Sequence, residues 1–279
     1  ILAPVIMHLT GGNLVLVFGT IGAIMMLISL PAGYCLVNPP ADYRQFQAEP
    51  SSTAPKKQAG SYPATAAQCI LSRKFVMMWI VFLCNITAGI MFIGFQSPLL
   101  QDLLKKTLEP AALSDPQVIA GLAGAGATLI AISSVFNGLG RFFWGGLSDK
   151  IGRVMTFRLI LGSQVFVFVA LLFVESPLVF GALVCYVLLC YGGGFGSMPS
   201  FVLDEFGPKL MPVVYGAILT AWGCSGIIGP QVVAVLKDNF GQGAAIYTFI
   251  TGAVLLFMGL VITFGLSRNQ TGSRRLRHN

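Results

Sequence analysis

Seven stretches of the chain run with almost no charge: residues 13–37, 75–101, 118–141, 154–174, 178–203, 213–236 and 244–267. Each is roughly the twenty or so apolar residues that a helix needs to cross a bilayer's hydrocarbon core, so the pattern predicts seven spanning helices. Two cations intrude. Arg158 stands near the start of the fourth stretch and can reach the interface along its aliphatic stem. Arg141 closes the third, eight residues before Asp149. At ~1.5 Å per residue it lies roughly 12 Å deeper than that aspartate. Between the first and second stretches, residues 38–74 are rich in Pro, Ser, Ala and Gln and carry Lys56, Lys57, Arg73 and Lys74. That is the composition of a linker, with a short surface helix expected around residues 64–71.

Composition narrows the class. Hydrophobic residues make up 55% of the chain and charged ones 10%, with a mean hydropathy of +0.80, which excludes an ordinary water-soluble domain. The net charge of +7 then points to basic loops on one side of a membrane rather than to nucleic acid. With the linker placed in the cytoplasm and the spans alternating, thirteen Lys and Arg fall inside and three, Lys105, Lys106 and Lys237, fall outside. Such a bias orients membrane proteins, and it sets the C-terminus in the cytoplasm of a multi-pass protein of a plasma or inner membrane. The six cysteines have no metal-ligand spacing and imply no disulfide framework. Every Asp and Glu lies in a loop or at a helix end. None of the seven stretches therefore carries an acidic proton relay.

The chemistry gathers at Asn137-Gly-Leu-Gly-Arg141-Phe-Phe-Trp-Gly145-Gly-Leu-Ser-Asp149-Lys150-Ile-Gly152-Arg153. A guanidinium held inside a span costs at least a few kcal/mol, so it normally faces a cavity or partner and serves a function. The run from Gly145 through Asp149 and Lys150 to Gly152 and Arg153 resembles the signature loop of the major facilitator superfamily. With Asn137, Arg141 and Trp144 ahead of it, the stretch is similar to the oxalate/formate antiporter-like branch, a neighbour of the monocarboxylate transporters. The resemblance implies an all-α, polytopic major facilitator fold holding family helices six to twelve: the C-terminal six-helix half plus one preceding helix. On that mapping residues 1–37 end the N-terminal half, 38–74 form the cytoplasmic linker, 75–267 the six-helix bundle and 268–279 a basic cytoplasmic tail. The opening residues read as the tail of an earlier helix, and the N-terminal half of the transporter is expected as a missing partner.

What the resemblance implies for the site is a carrier of small organic anions working by alternating access. In both branches an arginine at the place of Arg141 meets the anion, and an Arg fork can grip a carboxylate with two charge-assisted hydrogen bonds. An interfacial charge network is the competing reading for Arg141. Asn137 lies one turn earlier on the same face; proton-coupled relatives carry an aspartate there, so the amide argues for exchange or facilitated diffusion. Dicarboxylate-carrying relatives place a lysine where Trp222 stands, and one cation in place of two suits a monoanion whose apolar part packs on the indole. Asn85 and Gln96 share a semi-polar helix face and are candidates to line the cavity or to bond neighbouring helices. Tyr191 adds a ring beside the run Gly192-Gly-Gly-Phe-Gly196, which suits a bending or closely packed helix. Gly145, Asp149, Lys150, Gly152, Arg153 and Asp204 form the expected gating motif, with Asp149 satisfying a neighbouring helix's positive end.

The expected partners are thus a small carboxylate substrate and the lipid bilayer, with no nucleic acid, cofactor or metal. No enzyme constellation is visible, since His8 and His278 lie at opposite ends of the chain. A proton-coupled monocarboxylate symporter and a non-transporting sensor or receptor are the alternatives.

Overall fold

The computed structural model describes residues 13–35 and 65–275, with Ile6, Leu9 and Gly11 before them. Most of the expected linker, both histidines and the end of the basic tail lie outside the described residues. The chain divides into two units, residues 1–61 and 62–279. The first contains α1 (Leu14–Cys35), which is mostly exposed and buried only at Val17. The second contains α2 (Ala66–Ile70), α3 (Arg73–Lys105), α4 (Pro116–Ile151), α5 (Arg153–Ala170), α6 (Pro177–Phe206), α7 (Met211–Phe240) and α8 (Ala244–Arg275). All but α2 are long and apolar enough to cross a membrane, and among the described residues there is no strand. The architecture is the all-α polytopic one that the hydropathy pattern predicts.

Local chemistry sets the helix ends. The Ser72 hydroxyl accepts from the Phe75 N–H at 3.2 Å to start α3. Asp115 accepts from the Gln117 N–H at 2.8 Å, with Pro116 in the first turn of α4; both arrangements satisfy donors that a helix start leaves free. The signature stretch, expected as a loop, is helical as far as Ile151. Nothing in it breaks a helix until Gly152, whose φ of 90° ends α4 and lets α5 begin at the next residue. Likewise Asp204, Glu205 and Phe206 belong to the last turn of α6, and the chain turns only at Gly207, φ 82°.

In the second unit α4 packs along α6, α3 against α7 and α8, and α5 against α8. Lipid tails are as apolar as leucine, so burial alone drives little association; close packing and interhelical hydrogen bonds must do it. Both are present. The Phe92 ring of α3 meets Phe168 of α5 edge-on at 5.1 Å and stacks on Phe249 of α8 at 5.8 Å. Gln164 donates to the Asn85 carbonyl at 2.8 Å, Ser133 to Gln96 at 2.8 Å, and Thr87 pairs with Ser225 at 2.9 Å. Arg158 lies against α8. It donates to the Thr263 carbonyl at 3.3 Å and lies 4.4 Å from the Phe264 ring centroid, since a neighbouring helix offers both an acceptor and a π face within reach of its stem.

Candidate functional site

The α4 and α6 backbones meet at glycine notches. A Cβ on Gly192 would overlap the Asn137 carbonyl, and one on Gly196 would overlap the Arg141 backbone. Glycines four apart on one face let two membrane helices approach this closely. The run 192–196 thus does a specific job: it presses the two polar positions of α4 against α6.

That contact aims the Arg141 side chain at Phe195. The guanidinium carbon lies 5.5 Å from the ring centroid, within the range of a cation–π attraction. Phe195 sits at the middle of an aromatic wall drawn from three helices. Phe82 of α3 meets it at 5.2 Å, Tyr191 one turn back on α6 at 5.3 Å, and Trp222 of α7 at 6.0 Å, all steeply tilted in the edge-to-face manner that ring quadrupoles favour. Trp222 is 51% exposed and Tyr191 6%. Arg141 itself is exposed and, among the described residues, makes neither a hydrogen bond nor an ion pair. Its five N–H donors are free for an incoming acceptor. Asn137, one turn away, has a buried Oδ1 that accepts no hydrogen bond among the described residues.

Three of the sequence candidates, Arg141, Tyr191 and Trp222, therefore surround one ring, with Asn137 beside them. Asn85 and Gln96 are placed differently. Both are buried and spend their side chains on other helices, Asn85 on Gln164 and on the Cys190 carbonyl at 3.4 Å, Gln96 on Ser133. Phe195 was not among the candidates; its spacing of four from Tyr191 was the available signal, masked by the glycines that dominate the run.

The motif residues form a separate cluster at the end of the bundle where α4 meets α5. Arg153 donates from Nε to Asp204 at 2.9 Å and from Nη1 to Asp149 and Ser148. Asp149 is thus paired with the guanidinium one turn on, at the first residue of α5. Lys150 has no ion pair among the described residues. Gly145 lies next to the Gly196 carbonyl, with room for an ordinary contact. Lys74, at the start of α3, pairs with Glu205, so two consecutive acids of α6 hold the ends of α3 and α5, and Arg153 joins α4 to them through Asp149. Of these two acids, Asp204 alone was among the sequence candidates.

Membrane-length helices packed through glycine notches, with a cation on an aromatic wall between them that makes no ion pair among the described residues, define a multi-pass integral membrane protein. Residues 1–230 match the family model for the Major Facilitator Superfamily, and the chain belongs to that superfamily of membrane transporters. It is 30% identical over 152 residues to an oxalate:formate antiporter from Oxalobacter formigenes, a match covering 53% of this chain and 36% of the relative. It is also 30% identical over 142 residues to the multidrug resistance protein MdtG of Proteus mirabilis, covering 50% and 34%, and 30% identical over 144 residues to MdtG of a Rahnella species, covering 51% and 34%. The matched stretch spans about a third of each relative's length.

Proposed function

We propose that this chain supplies the C-terminal half of a secondary transporter for small organic anions, with Arg141 as the residue that meets the carboxylate. In this reading residues 1–37 close the N-terminal half, 38–74 link the halves in the cytoplasm, and the tail from 268 lies on that same side. The observation that carries it is the free guanidinium of Arg141 held on the Phe195 ring and flanked by Trp222 and Tyr191. A cation–π contact is worth about 0.5–2 kcal/mol, less than a two-pronged, charge-assisted grip on a carboxylate. An anion can therefore take over the N–H donors while the rings remain as a wall for its apolar part. One cation without a second lysine suits a monocarboxylate. The absence of any carboxylate from the seven apolar stretches supports exchange or facilitated diffusion over proton symport.

Similarity to the multidrug resistance protein MdtG favours a second reading, transport of drug-like compounds, for which the half-exposed Trp222 would be a stacking surface. Flux into proteoliposomes holding the complete protein separates the two. Labelled formate or lactate should enter faster when the same anion is loaded inside at clamped pH, and aromatic cations should not compete. Uptake of a drug cation without carboxylate flux would overturn the anion assignment.

A further inference from the structure

At the opposite end of the second unit from Arg153, a cavity of about 730 Å³ opens between the end of α3, the link from α5 to α6, and the start of α8. Its floor is apolar, with Leu171, Phe180 and Phe249 all buried. Its rim is charged. Asp102 and Lys105 neutralise each other at 3.2 Å. Lys106 and Glu175 also border the cavity and are exposed, yet among the described residues neither is ion-paired, with the other or with any third group. One free cation and one free carboxylate thus stand around a greasy hollow.

Depth identifies what fits it. The apolar run of α3 ends at Gln101, and Asp102, Lys105 and Lys106 follow within two turns. Charge returns at that point because the hydrocarbon gives way to headgroups there. A ligand for such a place has acyl chains for the floor and a headgroup carrying both signs. We propose that this cavity is a binding site for an aminophospholipid of the phosphatidylethanolamine type. Its phosphate would meet Lys106, and its primary ammonium would donate to Glu175. A choline headgroup has the same net charge but no N–H to donate, and an anionic headgroup has no cation for Glu175. The site is selective by hydrogen bonding as well as by charge. It is independent of which solute crosses the membrane.

The test is lipid competition on the complete protein. Purified protein is equilibrated with equimolar phosphatidylethanolamine and phosphatidylcholine of identical chains, then with phosphatidylethanolamine and phosphatidylglycerol, and retained lipid is read by native mass spectrometry. The expected result is about a fivefold preference for the ethanolamine lipid in both mixtures, the factor that one interfacial charge contact supplies. Lys106→Glu and Glu175→Lys should each bring the ratio to about one, and the double reversal should restore part of it. Both positions are exposed, and an unchanged thermal transition confirms folding. Equal retention of the lipids by the parent protein, a parent preference for phosphatidylglycerol, or a preference that survives both single reversals would each overturn the site.

Discussion

The guanidinium of Arg141 lies over the ring of Phe195, 5.5 Å from its centroid, on a helix whose backbone it reaches only because Gly196 has no side chain. The contact links the crossing of α4 and α6 to the chemistry of the pocket. The ring holds the cation in place without consuming its hydrogen-bond donors, which a carboxylate partner would do.

Arg141→Gln should abolish carboxylate uptake by the complete protein while leaving its insertion and thermal transition intact. Two charge-assisted hydrogen bonds are lost, on the order of a hundredfold in binding. Arg141→Lys should recover only a minor part, because an ammonium cannot present the planar fork. Uptake within a factor of two of the parent in the Gln variant would remove Arg141 from the site.

Phe195→Leu should raise the half-saturation concentration for a monocarboxylate about fivefold, the equivalent of one cation–π contact, with Phe195→Tyr close to the parent. If the Leu variant instead lowers the maximal rate at unchanged half-saturation, the ring serves the moving helix and not the cation.

Replacing Trp222 by lysine adds a second positive charge across Phe195 from Arg141. Oxalate should then compete with formate at least several-fold better than in the parent, measured as inhibition of labelled formate exchange. Unchanged competition would mean that Trp222 lies outside the pocket.

Gly192→Leu is expected to cost folding rather than binding. Its side chain would enter the space of the Asn137 carbonyl, and overpacking of this kind costs roughly 1–3 kcal/mol or more when backbone must move. A lowered thermal transition in detergent, with the residual folded fraction still binding anion, is the expected pattern.

Asn85 and Gln164 provide a test that divides structure from transport. Gln164→Leu removes the donor from a fully buried carbonyl, about 1–3 kcal/mol. A double variant with Asn85→Leu should cost less than the two single changes summed, since neither group is then left facing an empty partner. Additive losses in the thermal transition would show that the two side chains are not coupled.

The apolar periodicity along the chain specifies the spanning helices because the requirement is local: about twenty residues without charge either cross a bilayer or do not. The same holds for Arg141, whose cost inside a span marks it wherever its neighbours lie. Phe195 carries no such mark. A phenylalanine in an apolar run reads as lipid-facing or packed, and only the meeting of α3, α4, α6 and α7 makes it the ring beneath the cation. Asn85 and Gln96 show the converse. Their spacing puts them on one polar face, but whether that face meets a cavity or another helix depends on Gln164 and Ser133, which lie 79 and 37 residues away.

What the amino-acid sequence determined by itself is therefore membrane class, number and place of the spans, superfamily and the one costly cation. Tertiary structure alone decided which side chains converge on that cation and that Arg153 joins Asp149 to Asp204. The reason is one of range. Hydropathy and helix breaking act within a few residues, whereas a side chain's partner across a helix interface is selected by packing between segments far apart in the chain.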